Sequence, residues 1–320
     1  MKKTLYILLF LCLVNSLLFA DKYAGEFLNI GVGVKAHAMG NAFVSIADDP
    51  TTIYWNPAGI YSFNNISINV MHSEEYAGNL KYDTISGIYP YDIEKKFGFL
   101  LTRTGISGIP LTQLNDPNDT VSVNNPPYVY KYVNNADYAM YLSFSSILWN
   151  DIPFGITTKF IYRTIGDIKA SGLGLDVGTI YNINNNLRVG LNIRDIISTS
   201  IWWKDGETET VSPNILTGAS AEFKFPIISV PSRFSFQTDI FFENRDKSAQ
   251  LSIGNVSFDF HAGMLFMVAP FLSVACGVDR DNFTAGALLF YKNYSLQYAF
   301  ENDSNLNNIH RISLGVEFSR

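Results

Sequence analysis

The last strand-like stretch of the chain places the strongest constraint on its fold. Along Arg311–Phe318 polar and apolar residues alternate, and the side chains of a β-strand point to opposite faces in turn. One face of this strand would carry Ile312, Leu314, Val316 and Phe318, and the other Arg311, Ser313, Gly315 and Glu317. The alternation recurs along most of the chain and predicts a sheet with one apolar and one polar face. Such a sheet, closed on itself with its apolar face in lipid, is an outer-membrane β-barrel.

The first residues are predicted to be a targeting segment rather than part of the fold. Two lysines precede an apolar run from Leu5 to Leu18, and Ala20 is a small residue at a position suited to cleavage. This order is typical of a secretory signal peptide, which we assign to residues 1–20. An uncleaved anchor is the alternative, although the run is short for a bilayer span.

The composition suits a membrane-embedded β-protein better than a soluble one. Aromatic residues are 14% and charged residues 16% of the chain, whereas soluble domains have roughly 25% charged residues. The net charge is −6, or about −8 without the two leader lysines, and a negative chain disfavours nucleic acid as a partner. Cys276 is the single cysteine beyond the leader, which excludes an internal disulfide in the mature chain, and its apolar strand neighbours predict a lipid-facing position.

Residues 21–64 differ from the rest of the chain, because they are rich in Gly and Ala and alternate poorly. We interpret Gly31 and Gly33 as points where the backbone passes close to another element. Asp49-Pro50 and Asn56-Pro57 each place a capping side chain before a proline, an arrangement typical of helix starts. The segment is therefore predicted to be a compact unit with short helices.

The remaining region, residues 65–320, contains fourteen candidate strands, an even number as single-chain bacterial barrels require. They cover 66–72, 80–89, 96–105, 137–147, 152–165, 170–183, 187–196, 213–226, 232–243, 256–268, 271–280, 282–292, 293–301 and 308–319. Most of the odd-numbered connections are longer than every even-numbered one, as expected for a barrel with short turns at one end and longer loops at the other. A soluble β-sandwich would not show this difference, and a β-propeller would also need an internal repeat.

Charged residues of the candidate strands gather on the polar face, which would line the lumen of the barrel. In the strand 187–196, for example, Arg188 and Arg194 lie opposite Leu191. A charge on the lipid face near the midplane would cost about 2–4 kcal/mol. We therefore predict a polar lumen in which positive and negative side chains pair. The residues predicted to line it are Lys159, Asp176, Arg188, Arg194, Glu222 and Asp239.

The sequence contains no legible catalytic or metal-binding motif. Gly31–Ala36 matches a dinucleotide fingerprint in spacing, but no βαβ unit follows it. The four histidines show no metal-ligand spacing, and there is no nucleophile elbow. We therefore predict that the protein is not an enzyme and has no cofactor and no metal ligands.

Two predicted loops carry side chains suited to contact with a partner. Loop 106–136 is the longest segment without a predicted strand and includes several tyrosines. Loops of this length are usually functional or disordered, and the aromatic content favours a folded lid or a binding surface. In loop 197–212, Trp202 and Trp203 are either anchors for a protein partner or members of an interfacial aromatic belt.

The N-terminal segment resembles that of a known family. The resemblance rests on four motifs: Phe27–Gly33, Gly-Asn-Ala-Phe at Gly40–Phe43, Ala-Asp-Asp at Ala47–Asp49 and Trp-Asn-Pro-Ala-Gly at Trp55–Gly59. They are similar to those of the PorV/PorQ-type outer-membrane proteins, within the wider group of FadL-like long-chain fatty-acid transporters. The resemblance extends over the mature chain and implies an all-β, 14-stranded antiparallel transmembrane barrel with an N-terminal plug, or hatch, inside it. The plug residues that it implies are Gly31, Gly33, Gly40, Asp48, Asp49, Trp55, Asn56, Pro57 and Ala58.

The resemblance leaves two functions open. A transporter would capture a hydrophobic small molecule at its outer loops and pass it beside the plug. A PorV-like component of a type IX-like secretion apparatus would bind protein cargo through its extracellular loops. The chain is shorter than the fatty-acid transporters and lacks their longest loops unless 106–136 replaces them. A porin without a specific ligand is a third, weaker alternative, and all three place the chain in the outer membrane, in contact with its lipid.

Overall fold

The computed structural model describes residues 25–149, 152–226, 229–303 and 308–319. The predicted leader, residues 1–20, lies outside these ranges. Short helices come first: a 3-10 helix at Glu26–Asn29, α1 at Val34–Ala38, α2 at Thr52–Trp55 and a second 3-10 helix at Pro57–Ser62. Within the described part of the chain, no helix combines the length and the apolar character needed to cross a bilayer.

Strands make up most of the described chain after these helices. Their bounds are β1 Ile66–Glu75, β2 Leu80–Pro90, β3 Lys96–Leu114, β4 Pro127–Trp149, β5 Ile152–Ile165, β6 Ile168–Asn182, β7 Leu187–Arg194, β8 Thr199–Trp203, β9 Thr208–Val211, β10 Asn214–Lys224, β11 Pro231–Phe241, β12 Leu251–Ile253, β13 Val256–Ala269, β14 Leu272–Asp279, β15 Asn282–Tyr291, β16 Tyr294–Asn302 and β17 Ile309–Phe318. A further 3-10 helix at Asp246–Ser248 precedes β12.

Fourteen of these strands form a closed antiparallel barrel, which confirms the predicted fold class. The ring runs through β1–β7, β10, β11 and β13–β17, and it closes where β1 pairs with β17 from Ile66↔Phe318 to Glu74↔His310. The other three strands lie beside the ring. β8 pairs with β6 and β9 pairs with β8, while β12 pairs with β13.

The prediction of a long irregular loop at 106–136 was wrong. β3 continues to Leu114 and β4 begins at Pro127, so the connection is only 115–126. Two register shifts, at Ile106/Ile109 and at Leu111/Thr112, let the ladder continue through this segment. Such bulges interrupt the two-residue alternation, which is why the pattern did not reveal the strands. The loop predicted at 197–212 likewise contains the β8–β9 hairpin.

The longer strands shorten several connections, but the asymmetry between the barrel ends remains. Three of the seven odd-numbered connections are longer than every even-numbered one: 115–126, 195–213 and 242–255. We call their side of the barrel the long-loop end. The opposite side, the short-turn end, has connections such as 91–95 and 183–186.

The two faces of the wall differ as the alternation predicts. On β17, Ile312 and Leu314 are 49% and 58% exposed on the outside, whereas Arg311 and Ser313 are buried on the inside. Cys276 lies half-buried on the outward-facing side of β14, beside the exposed Val278. The outside of the barrel is therefore apolar, and the inside is largely polar.

The N-terminal segment, residues 25–64, fills part of the barrel interior, and we call its described part the plug. Many of its apolar side chains, among them Val32, Met39, Phe43 and Ile53, are fully buried. α1 packs against β14, β15, β16 and β17, while the second 3-10 helix packs against β3, β4, β5 and β6. Contacts with inward-facing residues on both sides of the ring place the plug inside the lumen.

Candidate functional site: a plugged lumen

Glycines on the inner face of the wall let the plug backbone approach it closely. At Gly155 an added Cβ would overlap the backbone of Pro57, and at Gly190 it would overlap the backbone of Val44. Other inward glycines in tight contact with the plug are Gly98, Gly178, Gly218, Gly263, Gly277 and Gly286. At Gly155, Gly190, Gly263 and Gly277 plug and wall therefore meet as backbone against backbone, at a distance that a side chain would not allow.

The plug glycines implied by the resemblance also lie at close approaches. Gly31, Gly33 and Gly40 have φ of 81°, 96° and 62°, a region that favours glycine. The backbone of Gly40 lies against Val278 of β14, and Gly33 lies against the Thr51 side chain. Gly40 is thus a contact between plug and wall, whereas Gly33 packs within the plug.

Asn56 joins the plug to the wall. Its Nδ2 donates to the carbonyl oxygens of Val44 (2.9 Å) and of Thr179 on β6 (3.0 Å), and its Oδ1 accepts from Ala58 N–H (3.2 Å). Asn56 therefore caps the 3-10 helix that begins at Pro57, as the sequence predicted. Asn56, Val44 and Ala58 are all buried, so the Asn56 amide satisfies backbone groups that have no contact with solvent in the folded protein.

Tyr54 and Trp55 order the start of the plug. Trp55 Nε1 donates to Val32 O (2.7 Å), and Tyr54 Oη donates to Leu28 O (2.8 Å). The guanidinium carbon of Arg194, on β7, lies 4.0 Å from the Tyr54 ring centroid, and its Nη2 donates to Tyr54 O (3.2 Å). Arg194 thus lies on the inner face of the wall, and its contacts are with the plug.

Asp48 carries an ionic link between plug and wall. It lies 2.7 Å from Lys35 Nζ in the plug and 2.5 Å from Arg233 Nη1 on β11. Burial would raise the pKa of Asp48, but the two cations outweigh it and hold that pKa well below its usual value. Asp49 instead accepts from Thr51 N–H (2.8 Å), and α2 begins one residue beyond Thr51 rather than directly at Asp49-Pro50.

One ion pair between two predicted lumen residues, Lys159 and Asp176, forms part of a buried cluster in the wall. Lys159 Nζ lies 2.8 Å from Asp176 and also pairs with Asp195, and all three side chains are at most 4% exposed. Asp195 N–H donates to Asp176 Oδ1 (2.8 Å), and Thr199 Oγ1 donates to Asp195. The cluster lies where β6 changes its partner from β7 to β8, so it supports the wall at that junction.

Glu222 and Asp239, two further predicted lumen residues, have partners outside the predicted set. Glu222 pairs with Arg233 (2.5 Å), whereas Arg188 is half-buried on the inward face of β7. Asp239 accepts from Gln237 Nε2 (2.7 Å), and its carboxylate lies 3.7 Å from His261. Alternation thus located the face of each residue but not its partner.

Several wall residues that hold the plug were not singled out in the sequence. Gln237 Oε1 accepts from the N–H groups of Phe43 (2.9 Å) and Val44 (2.8 Å). Arg311 Nη1 donates to Gly31 O (2.8 Å). Asn192 and Thr284 make similar bonds to plug backbone. Their inward position was legible from alternation, but their contacts depend on where the plug lies.

A cavity of about 500 Å³ remains in the lumen. Plug residues and wall residues near the long-loop end line it. Its apolar and aromatic lining includes Phe27, Ile30, Tyr54, Trp55, Leu80 and Phe241. Its nine carboxylates are Glu26, Glu75, Asp137, Asp239, Glu243, Asp259, Asp279, Glu301 and Asp303, against four guanidinium groups at Arg194, Arg245, Arg280 and Arg311. The cavity is thus aromatic in part and negative overall.

No protein-family model matches the chain, and no curated protein matches its sequence. Solved structures do match its fold. The toluene transporter TodX of P. putida aligns with a TM-score of 0.59 and 12% identity over 91% of this chain and 99% of that one. The toluene transporter TbuX of Ralstonia pickettii aligns at 0.57 and 11% over 90% and 98%, and a Pseudomonas aeruginosa FadL homologue at 0.52 and 9% over 90% and 98%. The chain therefore shares the fold of FadL-type barrels.

Proposed function

We propose that the protein is an outer-membrane channel that passes small hydrophobic solutes through its lumen, with the plug controlling passage. The observation that carries this proposal is the cavity of about 500 Å³ bounded on one side by the plug. The plug is held by hydrogen bonds and ion pairs such as Asp48–Arg233, contacts that can break and re-form.

An outer-membrane location follows from the surface of the barrel. Apolar residues cover its outside, including Phe99, Leu142, Phe236, Leu296 and Leu314. A closed barrel satisfies its backbone hydrogen bonds internally, and an apolar outer band matches the hydrocarbon of a bilayer. The predicted secretory leader provides the route of export.

The structural neighbours suggest a class of solute, and the lining and charge of the cavity narrow that class. TodX and TbuX are named toluene transporters, and the aromatic side chains of Phe27, Tyr54 and Trp55 offer an apolar surface in the cavity of this chain. Nine carboxylates against four guanidinium groups create a negative field around that surface. The cavity therefore suits neutral or cationic apolar solutes better than fatty-acid anions.

A reversible cross-link between plug and wall tests the proposal. Ser45 of the plug and Ser235 of β11 are both buried, and their Oγ atoms are 3.5 Å apart. Both residues would be replaced with Cys in a Cys276→Ser background. The two sulfur atoms would then need to move only slightly towards each other to form a disulfide. Uptake would be followed in cells expressing the protein, with two fluorescent dyes that share an apolar body but end in a cation or an anion.

Expected results are a several-fold lower uptake of the cationic dye when the disulfide is oxidised and recovery on reduction. The anionic dye should enter more slowly than the cationic one through the uncross-linked protein. The Ser45→Cys single variant is the control, because it cannot form the bond. Equal uptake by oxidised and reduced protein would contradict control by the plug, and uptake no greater than in cells without the protein would contradict transport.

A second candidate function, docking of a secreted protein, is supported by the β3–β4 hairpin. β3 pairs with β2 only up to Ile106, and β4 pairs with β5 only from Asn135 onward. The strands continue as a two-stranded extension with exposed Tyr130 and Tyr132 and an exposed Val123 near its tip. Exposed aromatic residues of this kind are typical interface anchors.

Photo-cross-linking distinguishes this candidate from transport alone. A photoreactive residue at Tyr132 should capture an exported protein in the native cell. The same residue at Tyr91, which is also exposed but lies at the short-turn end, should not. Identical capture at both positions, or none at Tyr132, would contradict docking through the hairpin.

A further inference from the structure

His37 is the most unusual polar side chain of the plug. It lies on α1, and its side chain is 1% exposed. Neither of its ring nitrogens makes a hydrogen bond with any residue that the structure describes. Its Nε2 is 3.1 Å from Glu301 Oε2, but the two groups are not aligned for a hydrogen bond. Buried polar groups normally have partners, so an imidazole of this kind calls for an explanation.

Two carboxylates of the wall lie beside this imidazole. Asp279 is the last residue of β14, and Glu301 belongs to β16. Both are buried, and ligand atoms from His37, Asp279 and Glu301 all lie within 4.8 Å of one another. Three metal-ligating side chains from three different elements therefore converge on one point between plug and wall.

Neighbouring side chains hold the two carboxylates in place. Asp279 Oδ2 accepts from Asn41 Nδ2 (2.5 Å), and its Oδ1 lies 2.9 Å from His261 Nδ1. Glu301 Oε1 accepts from Asn282 Nδ2 (2.7 Å), which leaves Oε2 directed towards His37. Partners of this type orient the ligands of natural metal sites.

We propose that His37, Asp279 and Glu301 bind a divalent transition-metal ion, with Zn²⁺ as the best fit. One imidazole and two carboxylates are a donor set that Zn²⁺ accepts, with water as fourth ligand. Ligand atoms at about 2.0–2.2 Å from a tetrahedral Zn²⁺ lie about 3.3 Å apart, close to the 3.1 Å between His37 and Glu301. Mg²⁺ and Ca²⁺ prefer oxygen ligands alone, so the imidazole disfavours them.

The electrostatics of the surroundings permit such an ion. Neither ring nitrogen of His37 has a hydrogen-bond partner among the described residues, so a lone pair of the neutral imidazole is available to a metal ion. Arg311 pairs with Glu75 (2.9 Å), which offsets its positive charge. The three ligands also line the negative cavity, which offers a cation a path to the site. A bound ion would tie α1 to β14 and β16.

Metal titration of the purified full-length protein tests the proposal. Protein in detergent would be stripped with a chelator and titrated with Zn²⁺ by calorimetry, and with Co²⁺ by visible absorption, which reports the geometry of the bound ion. Wild type should bind one ion per chain, and Co²⁺ should give a tetrahedral absorption band. Glu301→Gln and Asp279→Asn keep the side-chain shapes and should weaken binding at least tenfold.

His72→Gln is the matched control, because His72 is an exposed histidine beside two other carboxylates, Asp83 and Glu74. This variant should bind as wild type does. Loss of binding in the His72 variant, with binding retained in Glu301→Gln, would overturn the assignment. So would the absence of one-to-one binding in wild type, a measurement that needs no variant to fold. This inference is independent of the solute, since a channel without a metal would still transport.

Discussion

The two halves of the lumen are built on different principles. Towards the short-turn end the wall presents glycines such as Gly155 and Gly190, and the plug backbone packs directly against them. Towards the long-loop end the wall presents Asp137 and Asp259, the connection 242–255 adds Arg245, and a cavity remains between them. One half is packed like a protein core, whereas the other is a charged chamber.

The difference shows what an inward-facing strand position can encode. A glycine on the polar face leaves room for another backbone, so a row of them marks where the plug touches the wall. A charged residue at the equivalent position needs water or an opposite charge, as in the pair of Arg245 with Asp259 (2.7 Å). The residue types on the inner face therefore indicate which part of the barrel the plug fills and which part stays open.

The largest effect is expected from a methyl group in the packed half. Gly190→Ala would force a Cβ into the backbone of Val44, and backbone cannot move aside as a side chain can. The expected loss is about 3 kcal/mol, the upper part of the range for overpacking. Guanidinium unfolding in detergent would measure it, and protease cleavage of the plug would show its displacement.

Gly87→Ala is the control for this change. Gly87 lies on β2, and the nearest atom to an added Cβ there is Ser67 O at 3.7 Å, an ordinary contact. Its stability should stay within about 0.5 kcal/mol of wild type. Equal losses in the two variants would contradict close packing of the plug against the wall.

The next largest effect is expected at Asn56. Asn56→Ala leaves Val44 O, Thr179 O and Ala58 N–H without their partner, and unsatisfied buried groups cost about 1–3 kcal/mol each. We expect a loss of about 2 kcal/mol in unfolding free energy, because water can replace part of the network. Asn65→Ala, which removes an exposed hydrogen bond to Glu317, should change little. A loss at Asn65 as large as at Asn56 would mean that the plug amide has no special role.

Much of the barrel could be predicted from the sequence, because alternation is a local property. It located all fourteen ring strands and the inward face of residues such as Lys159 and Asp176. It failed at 106–136, where bulges interrupt the alternation, and at the β8–β9 hairpin, where the strands have only five and four residues.

The candidate metal site could not be predicted in the same way. His37 is separated from Asp279 and Glu301 by more than two hundred positions, so no spacing rule connects them. Their meeting depends on the plug lying inside the barrel with α1 against β14–β16. Only the resemblance of the N-terminal motifs implied that position, and a resemblance does not specify side-chain contacts.

A smaller effect with a distinct pH dependence is expected at Asp48. Lys35 and Arg233 lower the pKa of Asp48, so its charged form stabilises the folded state. That contribution is complete above the ordinary carboxyl pKa of about 4 and is lost as the pH falls through the lower folded value. Asp48→Asn should therefore lose about 1–2 kcal/mol at pH 7, and the difference from wild type should shrink only in strong acid.

Unfolding measured from pH 7 to strong acid would follow this difference. Asp205→Asn, at an exposed turn between β8 and β9, is the matched control and should show no comparable loss at pH 7. If the Asp48 difference already disappeared between pH 6 and 5, the ionic link between plug and wall would be weaker than its geometry indicates.

The smallest effect is expected in the β3–β4 hairpin extension, which belongs to neither half of the lumen. Tyr132 lies on the hairpin extension and is 65% exposed, whereas Tyr141, on the same strand, is 2% exposed and packs edge-on against Tyr54 at 6.2 Å. Tyr132→Ser should change the unfolding free energy by less than about 0.5 kcal/mol, whereas Tyr141→Ser, which removes a buried ring, should cost several times as much. A loss above 1 kcal/mol at Tyr132 would mean that the extension packs against the barrel, and its aromatic surface would then serve stability rather than recognition.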